Sequence, residues 1–162
     1  MADTWTVAKG STACSRCGAQ FREGQAYYSS LQEQAQDFIR DDYCASCWKE
    51  ARVGPLFSFW KTRRSSDPRP LRINAEVVFD FFCKMRESER QDKDEMCFVL
   101  ALYLARRRTL KFDSVRSEGG RQVLVFRRPR HKETFEIADP QMNEDQINTA
   151  TERLKALFQT QI

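Results

Sequence analysis

Cys14-Ser-Arg-Cys17 and Cys44-Ala-Ser-Cys47 are two C-x2-C pairs with 26 residues between them. A C-x2-C turn aims two sulfurs at a common point, and a second turn completes a tetrahedron around a metal about 2.3 Å from each sulfur. One pair is a weak signal; two in one chain are a strong one. The expectation is one Zn2+ per chain, held by Cys14, Cys17, Cys44 and Cys47. Four-thiolate iron is compatible with the same spacing. Four thiolates close the coordination shell, whereas a catalytic zinc keeps one position open, so a structural metal is expected.

Other uses of these cysteines fit less well. A thioredoxin-like redox site uses one C-x2-C at a strand–helix junction, and no βαβ pattern surrounds either pair. Disulfides need an oxidising compartment. Met1 to Gly10 holds no apolar stretch of the secretory type, so a cytoplasmic location with reduced thiols is expected. Cys83 and Cys97 are single and lie inside apolar helical patterns. They read as small buried hydrophobes.

The surroundings of the two pairs differ. Gly18 follows Cys17 directly, and glycine there can take positive φ and fold amides back toward the sulfurs. The second pair follows Asp41 and Asp42, candidates for a helix N-cap. It precedes a helix-compatible run to Arg52 and the stop signal Gly54-Pro55. A helix N-terminus also favours thiolate anions. Between the pairs, Gln25 to Leu31 and Asp37 to Arg40 read as the strands of a hairpin. The order knuckle, hairpin, helix over about residues 10–53 resembles the treble-clef group of zinc fingers, with zinc ribbons as the nearest alternative. That resemblance implies ligand roles for Cys14, Cys17, Cys44 and Cys47. Such modules bind nucleic acids, bind proteins or staple small domains, so no single activity is implied. No family resemblance extends over residues 54–162.

The chain that must position these ligands has 162 residues, enough for two small modules. Leu56-Phe-Ser-Phe-Trp60 is an aromatic patch, expected mainly to pack and otherwise to dock a partner. Lys61 to Pro70 contains two prolines, two serines and no apolar residue, and reads as a linker. The expected organisation is a four-cysteine zinc-finger module over 1–60, a linker over 61–70 and an α+β domain over 71–162.

In that second domain Val77, Val78, Phe81, Phe82 and Met85 share one helical face over about 74–88. Met96, Val99, Leu100, Tyr103 and Leu104 mark a second helix over about 93–107, apolar on most sides and so central. Three strands follow, Thr109 to Ser117, Arg121 to Arg128 and Lys132 to Ala138, with Gly119-Gly120 as a hairpin turn. Ile147, Ala150, Leu154, Leu157 and Phe158 give a last helix over about 143–159, opened by Asn143. The fold expected is α+β: a knuckle–hairpin–helix finger, then ααβββα around an antiparallel three-stranded meander.

Charge is unevenly spread under a net of +4. Residues 1–60 carry net −1, 61–103 net +1, 104–132 net +8 and 133–162 net −4. The basic segment is a candidate polyanion site, with Arg106, Arg107, Arg108, Lys111, Arg127, Arg128, Arg130 and Lys132 as its residues and Arg63 and Arg64 added from the linker. The acidic last helix is the expected intramolecular cover for it. The strands show no exposed aromatics at the alternation an RNA-binding sheet uses. His131 is the only histidine and lies in an Arg-rich turn, and no phosphate-binding glycine loop or nucleophile elbow occurs. A non-enzymatic zinc protein is therefore expected, an interaction or adaptor module with an unidentified protein partner. A nucleic-acid-binding regulatory protein is the alternative. No small-molecule substrate is evident. The longest apolar run, Phe98 to Ala105, is far below the ~20 residues a membrane helix needs, so no membrane association is expected.

Overall fold

The computed structural model describes residues 11–35, 37–51, 55–66 and 74–158. They form a mixed α/β structure, with two three-stranded antiparallel sheets and four helices among the described residues. The chain divides into two compact units, 1–73 together with 155–162, and 74–154.

The first unit is built on β1 (Ala26–Gln34), β2 (Asp37–Cys44), the short helix α1 (Ala45–Glu50) and β3 (Ser58–Arg63). The strand order is β2-β1-β3. β1 and β2 extend past the expected hairpin, because pairing continues from Gln34 opposite Asp37 to Tyr27 opposite Cys44. β3 was not expected. Residues 61–63, read as the start of a linker, are strand instead, with Lys61 opposite Tyr28 and Arg63 opposite Ala26. Their side chains alternate between an exposed and a covered side, and a polar strand can pair with β1 as well as an apolar one, since the ladder is made of backbone. The rest of the expected linker, 67–70, lies outside the described residues.

The aromatic patch splits by the same alternation. Trp60 is buried and meets Phe158 at 5.4 Å. Phe57 meets Phe38 edge-on at 5.0 Å. Phe59 points the other way and is 53% exposed.

The second unit contains α2 (Ala75–Glu87), α3 (Lys93–Arg106), β4 (Lys111–Glu118), β5 (Arg121–Arg127) and β6 (Thr134–Ala138), and α4 (Glu144–Phe158) begins in it. Each of these elements lies within a few residues of its expected position. Asn74 caps α2 by accepting from the Glu76 amide at 3.0 Å. Val78, Phe79, Phe81, Phe82 and Met85 bury one side of α2. Phe79 and Phe82 meet Phe135 of β6 edge-on, at 5.6 and 5.5 Å. α3 buries Met96, Cys97, Val99, Leu100, Ala101 and Leu104, which matches an interior helix. The meander runs β4-β5-β6, turned by Gly119 and Gly120 at φ +56° and +81°, values that L side chains rarely adopt.

Asn143 opens α4 with a reciprocal box: its Oδ1 accepts from the Gln146 amide at 2.8 Å, and Gln146 Oε1 accepts from the Asn143 amide at 2.9 Å. The final turn of α4, residues 155–158, belongs to the first unit. There Leu157 and Phe158 are buried, and the Leu157 carbonyl accepts from Arg40 at 3.3 Å. No helix among the described residues is long and apolar enough to cross a membrane.

Candidate metal centre

The knuckle around the first cysteine pair is set by backbone bonds. The Cys14 amide donates to the Ala19 carbonyl and the Gly18 amide to the Cys14 carbonyl, each at 2.9 Å. Gly18 sits at φ +72°, which closes the turn without a side-chain clash. The second pair spans the junction of β2 and α1. Cys44 is the N-cap of α1, with its sulfur accepting from the Cys47 amide at 3.4 Å. Asp41 and Asp42, the expected caps, lie inside β2 instead.

The four sulfurs of Cys14, Cys17, Cys44 and Cys47 all lie within 4.8 Å of one another. Cys17 and Cys44 sulfurs are 3.9 Å apart. A tetrahedron of thiolates about 2.3 Å from its centre has edges of about 3.8 Å, so the donor set fits zinc. All four cysteines are free thiols, not disulfides. The cluster is compatible with a zinc site closed by four sulfurs.

Charge within the cluster is already uneven. Burial works against a thiolate at Cys14, but amides of Cys17, Cys44 and Arg16 outweigh it and bring its pKa down to about 6. The Cys44 amide makes one of these bonds at 3.4 Å. Cys47 is pushed up to about 12, first by its bond with Cys44, then by burial and by Cys17 and Cys14. Cys14 is thus primed as a thiolate donor, while Cys47 needs the charge of a metal to lose its proton.

Proton and metal compete for the same sulfurs. A lowered pKa contributes above its ordinary value of 9.0 and is lost as pH falls through about 6. Zinc should stay bound at about pH 7.5 and be released to a chromogenic chelator by about pH 5. Release that did not change with pH would count against thiolate ligands.

The small core beside the cluster is aromatic. Phe21, Tyr27 and Tyr43 are buried with Cys14, and Trp48 and Ala51 pack on them. Phe21 stacks on Tyr27 at 4.4 Å. On the other side, Trp48 stacks on Tyr28 at 5.1 Å and leans on Phe59 at 5.4 Å. Lys61 sits over Tyr28 at 5.7 Å. This row of Tyr28, Trp48 and Phe59 went unread in the sequence. Its signal was the alternation of Phe59 and Lys61 against Ser58, Trp60 and Thr62.

A buried polar network ties the knuckle to the sheet. The Asp42 carboxylate accepts from Ser29 Oγ, from Arg40 Nε at 3.2 Å and from the Ser11 amide at 2.6 Å. Its backbone exchanges bonds with Ser15, the residue after the first ligand. Arg40 also lies over the Trp60 ring at 5.3 Å.

Outside the cluster, Cys97 is buried and pushed up to about 12 by desolvation. Cys83 is half-buried and raised for the same reason. Neither is poised to ligate a metal or attack an electrophile.

The basic residues gather unevenly. Arg106 ends α3 and Arg107 caps it, lying over Tyr103 at 5.5 Å. Arg108 follows at φ +59°. Lys111 opens β4 directly opposite Arg127 at the end of β5, and Arg128, Arg130 and Lys132 lie in the β5–β6 turn. An antiparallel meander places that turn and the α3–β4 turn at the same end of the sheet, so the eight candidates share one end. Arg116 and Arg121 are toward the other.

Among the described residues, Arg127 pairs with Asp113 at 3.7 Å and Arg116 with Glu136 across the sheet, and Arg128 pairs with Glu76 of α2 at 2.7 Å. Cross-strand neighbours pair at no cost in chain entropy beyond that of the sheet itself. Phe112 on β4 is 49% exposed, a single ring rather than the alternating set of an RNA-binding sheet. Arg63 lies on β3 and donates to the Gly24 carbonyl at 3.1 Å.

Compared with protein-family models, curated proteins and solved structures, the chain matches none. The class is therefore defined by the site alone: a four-cysteine cluster of zinc-binding geometry in a small mixed α/β unit.

Proposed function

We propose that this chain is a non-enzymatic protein-interaction module, stapled by one zinc in a treble-clef-like finger to which β3 adds a third strand. The observation that carries the reading is the aromatic row of Tyr28, Trp48 and Phe59 beside the metal-bearing helix, with Phe59 53% exposed. Aromatics in that setting are the usual anchors of protein interfaces. A metal shell closed by four sulfurs leaves no open position for a substrate, which supports a structural role for the ion. A cytoplasmic setting suits reduced thiols.

Elemental analysis of protein purified under reducing conditions should show one zinc per chain, and metal-free protein with two disulfides would sink the reading. Phe59→Ala should abolish co-purification of a protein partner from nuclease-treated extract while leaving zinc content unchanged.

A second reading is nucleic-acid binding, favoured by the gathering of basic side chains at one end of the second sheet. Arg106, Arg108, Lys111, Arg130 and Lys132 have no ion-pair partner among the described residues. Binding of this kind falls steeply with salt. Lys111→Glu with Arg130→Glu should then abolish gel shifts. Arg128 is unsuitable for that test, because it lies 4.1 Å over Phe79 and helps hold the fold.

A further inference from the structure

β4 is the edge of its sheet, paired only with β5 among the described residues. Alternate backbone N–H and C=O groups of an edge strand point away from its neighbour and can pair with another chain. None of its eight residues is buried.

A bulge between Phe112 and Ser114 shifts the register. Residues three apart in a regular strand face opposite sides. Here the extra residue sets Phe112 opposite Phe126 and Val115 opposite Leu124. Since Phe126 and Leu124 are two apart on β5, Phe112 and Val115 share a face. Two apolar rows therefore cross the sheet, Phe112–Phe126–Phe135 and Val115–Leu124–Ile137. At the β6 end Phe135 and Ile137 are 6% and 3% exposed; at the β4 end Phe112 and Val115 are 49% and 48% exposed. The cover over this face stops before β4.

The start of the open edge is basic, with Arg108 and Lys111 there, whereas its far end is Glu118, opposite Arg121 of β5. None of these three cations has an ion-pair partner among the described residues. A second copy of β4 would bring two segments of net +8 together, which repel.

We propose that β4 takes an extended acidic peptide of a partner protein as a fourth strand. Apolar residues of the peptide would cover Phe112 and Val115, and carboxylates at one end would meet Arg108 and Lys111. This strand addition draws affinity from backbone bonds and specificity from the alternate side chains. The proposal rests on the protein-interaction reading but uses a different surface from the Phe59 row.

The test titrates the full chain with fluorescein-labelled Asp-Glu-Val-Thr-Val-Thr-Glu-Asp, with the same peptide carrying lysine at its four acidic positions, and with an oligothymidylate. The acidic peptide should bind, and the lysine version about tenfold more weakly or worse. Phe112→Ser with Val115→Ser should lose about tenfold or more of the affinity, with an unchanged circular dichroism spectrum because both side chains are half exposed. Amide exchange in β4 should slow only with the acidic peptide.

Equal binding of both peptides, or unchanged exchange in β4, overturns the proposal. A dimer that the double variant disrupts also overturns it, in favour of a second copy. If no peptide binds while Phe59→Ala still loses the partner, only this proposal falls. If the oligothymidylate binds and neither peptide nor partner does, the protein-interaction reading falls with it.

Discussion

Cys44→Ser should release the zinc and unfold residues 11–51. Cys44 is at once a candidate ligand, the cap of α1 and the end of β2, so one substitution removes a sulfur and the start of a helix. The segment has little else to hold it. Its only Leu, Ile or Val residues are Leu31 and Ile39, and its core at the cluster is three aromatic rings and a cysteine. Structural zinc in comparable small modules contributes about 10–16 kcal/mol of apparent binding energy, which is folding energy when the apo form is unfolded. Losing one of four ligands should leave too little of that to offset chain entropy.

Residues 74–154, a separate compact unit with its own buried Phe, Leu and Met side chains, should stay folded. Limited proteolysis followed by mass spectrometry reads this directly. Cleavage should appear within 11–63 and spare 74–154, and Leu157 and Phe158 should lose protection with the first unit. Loss of all protected fragments at once would show that the two units fold as one.

Asp42→Ala is expected to be the most damaging substitution that leaves all four sulfurs in place. Asp42 is 1% exposed and Arg40 7%. Removing the carboxylate takes the Asp42 anion away from the buried Arg40 guanidinium, and removes the acceptors for Ser29 and the Ser11 amide. Breaking one side of a buried pair costs about 3–5 kcal/mol. Denaturant unfolding of the zinc-loaded protein should show a loss of that size. Asp42→Asn should recover part of it, because the amide keeps one acceptor oxygen, enough for Ser29 or for the Ser11 amide but not both. A loss below about 1 kcal/mol, the range of a surface ion pair, would show that the network is dispensable.

What the sequence determined by itself was whatever depends on local spacing. The two C-x2-C pairs pointed to four sulfurs around one centre because each turn places its own two ligands. The helices α2, α3 and α4 were legible because their apolar residues recur at helical period over 13–15 residues. Gly119-Gly120 and Asn143 were legible because a hairpin turn and a helix cap are made by the residues themselves.

Only the tertiary structure decided the rest, because it rests on pairing between distant segments. β3 has no apolar signature beyond Trp60 and continues through Lys61-Thr-Arg63, so its strand character comes from the β1 edge it joins. Asp42 looked like a helix cap, and became a buried anion because Arg40 and Ser29 lie beside it on the same sheet face. The last turn of α4 follows one helical pattern with the turns before it, yet the Arg40 guanidinium and the Trp60 ring seat it in the first unit. A bulge of one residue put Phe112 and Val115 on one face. Register and burial are properties of the neighbours, and a linear chain does not carry its neighbours' positions.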